Sequence, residues 1–309
     1  QTLLQLEELT VQVAAARLSG KGAIALDAAD SNLDLVLAVD NLGAFSQIAG
    51  MPLAGSGQAI ATVTGPIVQG KLSGSIKSEL RDFVAQDPVV QAALGTRPKF
   101  EADLHYDKTS DLDISPLRFA GRGLEANGTV KLSDGLSRLR AELQVDIRDL
   151  GLLATAAGAD ARGRLRLTAT ASGLVADPAA NAVVQVFDGR VGDVAVRSAR
   201  LDVTVTNLNS RPSGQIRADA TTSEGPVQLA ADYGKTNAET LDVRQLRANL
   251  LGVRLEGDLA VALASGLVRG RLVGGLPGEG VPLAQPRLRG DATFDVGLQP
   301  QGQSQRVDL

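Results

Sequence analysis

The sequence contains no cysteine and no tryptophan, and aromatic residues make up only 3% of its 309 residues. Without cysteine, the chain has neither a disulfide framework nor a thiolate metal site. Outer-membrane barrels carry aromatic girdles at both interfaces, which two tyrosines and six phenylalanines cannot supply. Compact hydrophobic cores also usually contain several large aromatic side chains. The apolar residues here are mainly Leu, Val, Ala and Ile, which favours a smooth apolar surface.

Charge and hydropathy exclude two further classes of protein. The net charge is −4 and no block of lysine or arginine occurs, which argues against nucleic acid as a partner. No run approaches the roughly 18 apolar residues of a membrane span. The sequence begins at Gln1 and shows no signal peptide. We interpret it as a segment of a longer protein whose anchor lies elsewhere.

What the sequence does contain is alternation of apolar and polar residues. Leu33, Leu35, Leu37 and Val39 point to one side of a strand, whereas Asp34 points to the other. Period two is typical of a pleated sheet with one apolar and one polar face. The predicted lining of the apolar face consists of Leu33, Leu35, Leu37, Val39, Ile60, Leu143, Val145, Ile147, Leu165, Leu167, Leu201, Val203, Val205, Ile216, Leu229, Leu241, Val243, Leu255, Val261, Leu263, Phe294 and Val296.

The alternating strands are arranged in repeats. Similar blocks recur at an offset of roughly 106 to 108 positions, from Leu18 to Leu124 and from Leu42 to Leu150. Short helical turns are expected after each block, and a helix or helix–loop over 79–94. The repeats predict a first β-module, a helix–loop insertion with a connecting strand, a second module and a partial third. Their bounds are 1–78, 79–116, 117–245 and 246–309.

Strand length selects among β architectures. A parallel β-helix uses short strands and a repeat near 20 residues, whereas strands of about 7 to 11 residues are expected here. A β-sandwich with two sheets face to face and an elongated domain with a self-filled core stay open. We predict an all-β fold, an elongated, repetitive and curled sheet that forms a U-shaped groove with at most one or two short helices.

Catalytic chemistry has little support in the sequence. His105 is the only histidine, and no nucleophile motif accompanies it. Asp111 and Asp113 share a face, but a solvated sheet surface explains them better than an acid pair. Gly121–Ala126 imitates a dinucleotide fingerprint, yet strand-like sequence follows it instead of a helix. We therefore predict a protein that is not an enzyme and that has no cofactor and no metal.

Three blocks of the sequence resemble a known family. They are Leu18–Leu26, Gly65–Gly74 and Leu255–Leu263, in which an alternating strand is joined through Gly-Pro or Gly-x-Leu to the next. They look like TamB, the translocation and assembly module subunit of the AsmA-like family. The resemblance covers most of the chain apart from about 79–110. Its motifs are short, so its weight comes from their density.

The resemblance implies a place in the envelope of double-membraned bacteria. Such proteins are anchored in the inner membrane, extend through the periplasm and resemble bridge-like lipid-transfer proteins. The implied role is to shield phospholipid acyl chains during transport between the two membranes. The implied protein partner is a TamA-like barrel of the Omp85 type, bound through regions outside this segment. The alternative is a scaffold that assists outer-membrane barrel assembly by β-augmentation.

Overall fold

A computed structural model describes residues 2–13, 15–109, 111–237, 239–276, 292–301 and 304–308. The described chain divides into two compact units. Unit 1 comprises residues 1–161 and 172–175, and unit 2 comprises residues 162–171 and 176–309. The predicted all-β fold class is confirmed, since strands dominate both units. The division into repeat modules stays a prediction.

Unit 1 is built on nine strands, each antiparallel to the next along the chain. This order needs only local connections. The strands are β1 Leu3–Val13, β2 Ala16–Ala25, β3 Ser31–Val39, β4 Leu53–Gly65, β5 Lys71–Ala85, β6 Lys99–Asp107, β7 Asp111–Ala120, β8 Glu125–Ser133 and β9 Arg138–Ile147.

Unit 2 continues the same plan, with β11 to β19 paired antiparallel in chain order. Strand β10 belongs mostly to this unit. The strands are β10 Ala161–Leu174, β11 Asp177–Val191, β12 Val194–Thr206, β13 Ser213–Thr222, β14 Pro226–Lys235, β15 Thr240–Leu250, β16 Val253–Ala262, β17 Val268–Leu276, β18 Ala292–Gln301 and β19 Ser304–Asp308.

The described residues form three short α-helices, each in a region where the sequence predicts a helix or helical turns. They are α1 Ser46–Ala49, α2 Pro88–Leu94 and α3 Leu150–Ala156, with 3₁₀ turns at Leu42–Phe45 and Ile67–Gln69. In the described part of the chain, no helix has the length and apolar character needed to cross a membrane.

The two repeat blocks share a capping pattern. Asn41 Oδ1 accepts a hydrogen bond from the Gly43 N–H at 2.8 Å, and Asp149 Oδ1 accepts one from the Gly151 N–H at 2.9 Å. Each side chain satisfies a backbone donor that the first turn leaves free. The predicted helical turns over 42–49 and 150–157 are thereby confirmed.

The helix expected over 79–94 begins later than predicted. Residues 79–85 extend β5, and the helix starts at Pro88, where the fixed φ of proline suits the first helical position. Asp87 Oδ1 accepts hydrogen bonds from the N–H groups of Val89 and Val90 at 2.8 and 2.9 Å. Pro88 is therefore the first residue of the helix.

Helices α2 and α3 pack together at one end of unit 1. There the Gln91 side chain accepts a hydrogen bond from the Ala85 N–H at 2.7 Å and donates to the Phe83 carbonyl at 3.2 Å. Phe83 is 4% exposed. Elsewhere the fold buries little: among the described residues, no leucine, isoleucine, valine or methionine is fully buried.

The exposed area shows how open these sheets are. The chain exposes 18839 Å². A compact monomer of the same 31.9 kDa exposes roughly 12,000 Å², and two separate compact units of half that mass expose roughly 15,000 Å² together. A dry core between two pressed layers would bury many large aliphatic side chains. The self-filled β-domain is therefore a poor description of either unit.

Candidate functional site: the apolar sheet faces

The register of unit 1 places apolar residues of all nine strands on one face. Directly opposed residues of an antiparallel pair point to the same side, so each row can be followed from strand to strand. One row runs across β1 to β9 without a polar side chain. Its members are Leu9, Gly20, Leu35, Ala61, Ile76, Ala102, Leu117, Gly128 and Leu143.

The adjoining rows are also apolar, apart from Ser78. One is Val11, Leu18, Leu37, Ala59, Ser78, Phe100, Phe119, Ala126 and Val145, and another is Leu6, Gly22, Leu33, Val63, Gly74, Leu104, Ile114, Val130 and Ala141. We call this side the apolar face of unit 1. Nine strands about 4.8 Å apart and about 30 Å long give a face on the order of 1,000 Å². Contiguous apolar patches on ordinary monomers reach about 300–600 Å².

The side chains of this face are only half covered. Leu37 and Leu143 are each 38% exposed, and Leu33, Leu35 and Val145 are half-buried. The strand neighbours that shield them are small. A Cβ on Gly20, for example, would lie 2.7 Å from a Leu35 methyl group, so Leu35 rests over that glycine. The chain supplies a low, smooth apolar surface and leaves its outer side open.

The opposite face of unit 1 is charged. Cross-strand ion pairs join its strands, although exposed pairs of this kind stabilise a protein only weakly. They include Lys71–Asp107 at 3.2 Å, Lys131–Asp111 at 3.4 Å, Lys99–Glu79 at 3.9 Å, Arg118–Glu101 at 3.9 Å and Arg148–Glu125 at 2.8 Å. We call this side the polar face. The two faces therefore differ in chemistry across the whole unit.

Unit 2 repeats this division. A row on its own apolar face crosses β11 to β18 and consists of Val184, Leu201, Ala218, Leu229, Ala248, Leu255, Gly274 and Phe294. The next row on the other side is Gln185, Arg200, Asp219, Gln228, Asn249, Arg254, Gly275 and Thr293. Each unit thus has an apolar and a polar face.

Most predicted lining residues share the apolar face of their unit. In unit 1 these are Leu33, Leu35, Leu37, Val39, Leu143 and Val145, with Ile147 two positions beyond Val145. In unit 2 they are Leu201, Val203, Val205, Ile216, Leu229, Leu241, Val243, Leu255, Val261, Phe294 and Val296. Leu165 and Leu167 share one side of β10, where exposure alternates strictly.

Two predicted residues lie elsewhere. Ile60 opposes Val36 and Lys77, which places it on the polar face, where it is 49% exposed. The apolar face receives its neighbours Ala59 and Ala61 instead, and only the register reveals this because both sides of β4 carry aliphatic residues. Leu263 follows the last residue of β16 and is 50% exposed in a turn.

The predicted lining contains no residue of β5 to β7. Ile76, Phe100 and Leu117 on these strands nevertheless continue the apolar rows of unit 1. Their alternation was visible in the sequence. A bulge on β7 between Ile114 and Leu117 breaks the period of that strand, which weakens its signal.

The structure gives His105 a partner on the polar face of unit 1. His105 Nδ1 lies 2.8 Å from Ser73 Oγ, and Asp113 opposes His105 on the next strand. A serine triad would use the other ring nitrogen toward the nucleophile, with the acid at Nδ1. The arrangement also lies open on the sheet surface. We assign no catalytic role to it.

Asp107 is the most strongly perturbed acid on this face. Its pKa is lowered to about 2 because it accepts hydrogen bonds from the Thr109 hydroxyl and backbone N–H and lies beside Lys71. The two bonds from Thr109 measure 2.7 and 2.9 Å. All of these interactions favour the carboxylate form. The network organises the turn between β6 and β7.

Thr109→Val is expected to raise the pKa of Asp107 toward its ordinary value, because the hydroxyl donor makes the largest contribution. Since the folded pKa is depressed, the stabilisation is present above pH 4 and is lost as the pH falls toward 2. In the variant, this stabilisation should be lost at a higher pH than in the unaltered protein. Carboxyl-carbon NMR titration of Asp107 measures the shift, with Thr129→Val as control. An unchanged Asp107 titration would show that Thr109 does not hold this charge.

Comparison with known proteins adds no assignment to this geometry. No family model matches the chain. Neither a curated protein nor a solved structure is significantly similar to it.

Proposed function

We propose that the apolar faces bind the acyl chains of lipids and shield them from water. The observation that carries the proposal is the set of apolar rows that cross every strand of unit 1 while their side chains stay half exposed. A surface of this size must be covered by something. Acyl chains fit because they are flexible, apolar and without hydrogen-bonding groups.

The energetics favour this cargo. A lipid with two acyl chains presents about 30 methylenes, and removing them from water is worth about 0.8 kcal/mol each, or roughly 25 kcal/mol in all. A surface of small aliphatic side chains shields acyl chains from water along its whole length. Such a surface has no deep pockets that would hold a lipid at one position. Among the described side chains, every buried polar atom has a hydrogen-bond partner, which fits such a surface.

The proposed setting follows the family resemblance. The segment would be the periplasmic part of an inner-membrane-anchored protein that conducts phospholipids between the inner and outer membranes. It acts without catalysis or a cofactor, and a TamA-like barrel of the Omp85 type would bind outside this segment. The alternative, a scaffold for barrel proteins, would bring peptide strands to the sheets instead of lipids.

A pair of neighbouring residues on β9 tests the proposal. Val145 lies on the apolar face and Gln144 on the polar face of the same strand. A photocrosslinker at Val145 should form lipid adducts in membranes, and one at Gln144 should form few. Equal lipid adducts at both positions would contradict the proposal. Peptide adducts at Val145 in place of lipid would favour the barrel-assembly scaffold.

A further inference from the structure

Three arginines surround a depression where strands β10 to β13 begin or end in unit 2. The depression has a volume of about 530 Å³, and Arg162, Arg190 and Arg197 line it together with Ser223. Arg190 opposes Ala195 on β12, and Arg197 lies two residues further along that strand. Arg197 lies at a register shift between Val196 and Ser198, and both Arg190 and Arg197 line the depression.

In the part of the chain that the structure describes, no acid neutralises the charges of these three arginines. Among the described residues, no carboxylate forms an ion pair with Arg162, Arg190 or Arg197. The acid that lines the depression, Asp188, is paired with Arg164 at 2.5 Å. Three arginines thus line one depression in a chain whose net charge is −4, so the positive character is local.

Small residues and a hydroxyl complete the depression. Gly189 and Ala195 line it together with Val196 and Thr222. Ser223 Oγ accepts a hydrogen bond from the Ala195 N–H at 3.1 Å, so its own proton is available as a donor. Two acids lie nearby, Asp193 in the turn between β11 and β12 and Glu224 in the turn after Ser223, but neither lines the depression.

We propose that Arg162, Arg190 and Arg197 form a binding site for a phosphate group. Guanidinium groups bind phosphate oxygens through paired, charge-assisted hydrogen bonds, and Ser223 adds a neutral donor. The volume exceeds that of a bare phosphate, which leaves room for the group that carries it. The three arginines belong to none of the apolar rows, so phosphate binding does not depend on acyl chains occupying those rows.

The test compares two double variants by isothermal titration calorimetry with inorganic phosphate at fixed ionic strength. Arg190→Gln with Arg197→Gln should weaken phosphate binding at least tenfold, because it removes two of the three guanidinium groups that would form charge-assisted hydrogen bonds to the phosphate. Arg254→Gln with Arg269→Gln removes the same charge elsewhere on unit 2 and should leave the affinity unchanged. Circular dichroism checks that both variants are folded.

Vesicles identify the source of the phosphate group. Binding to phosphatidylcholine vesicles that contain phosphatidylglycerol, competed by phosphate and lost in the Arg190/Arg197 variant, would identify a lipid headgroup. Saturable phosphate binding without this vesicle binding would identify a soluble phosphate compound. Both results support the site. Equal weakening in the two double variants, or no binding of phosphate or vesicles by the unaltered protein, would overturn it.

Discussion

Leu143→Glu is expected to reduce lipid adducts at a photocrosslinker on Val145 by at least tenfold. Leu143 lies on the apolar face of unit 1, two residues from Val145. An acyl chain that covers a carboxylate must remove it from water without a partner, which costs far more than the 1.4 kcal/mol of a tenfold change. The acyl chain will instead leave that part of the apolar face. Mass spectrometry of the adducts measures the loss.

The matched control for this prediction is Gln144→Glu. It adds the same charge one position away, on the polar face opposite Asn127, and should leave the Val145 adducts unchanged. Leu143 is already 38% exposed, so its replacement should alter the free energy of unfolding by no more than about 1 kcal/mol. If both variants lowered the yield equally, the charge would act through the unit as a whole and not through the apolar face.

The second large effect concerns a glycine on the apolar face of unit 2. A Cβ on Gly257 would lie 2.0 Å from the carbonyl oxygen of Arg271 on the neighbouring strand. This clash can be relieved only if β16 and β17 move apart, because a backbone oxygen cannot rotate away as a side chain can. Gly257→Ala should therefore lower the free energy of unfolding by about 3 kcal/mol. Urea unfolding followed by circular dichroism measures the change.

Gly275 provides the control on β17. The nearest atom to a Cβ at that position is the Ala292 carbonyl oxygen at 3.6 Å, an ordinary contact. Gly275→Ala should be neutral or slightly stabilising, because alanine restricts the unfolded chain more than glycine does. An equal loss of stability in both variants would show that glycine is needed for backbone freedom in general and not for close strand approach at Gly257.

The sequence predicts the fold class well because period-two alternation is a local property. Leu33, Leu35 and Leu37 recur at every second position, and the structure places them on one face. The face of the sheet on which a residue lies is not a local property, because it depends on how its strand pairs with the neighbouring strand. Ile60 shows the difference, since only pairing with Val36 assigns it to the polar face.

Bulges and helix starts account for the other discrepancies. A residue with positive φ, such as Asp82 on β5, shifts the alternation so that Phe83 is buried and Val84 is 51% exposed. Apolar residues with irregular spacing then resemble a helix, as they did over 79–85. The arginine depression was not predictable either, because Arg162 and Arg190 are far apart in sequence and meet only through strand pairing.

The most direct measurement is a photocrosslinker scan along β12 from Arg200 to Val205, in membranes. The register places Leu201, Val203 and Val205 on the apolar face of unit 2 and the residues between them on its polar face. If that face shelters acyl chains, lipid adducts will rise and fall with a period of two and peak at those three positions. A flat profile, or adducts with peptide alone, would contradict the account.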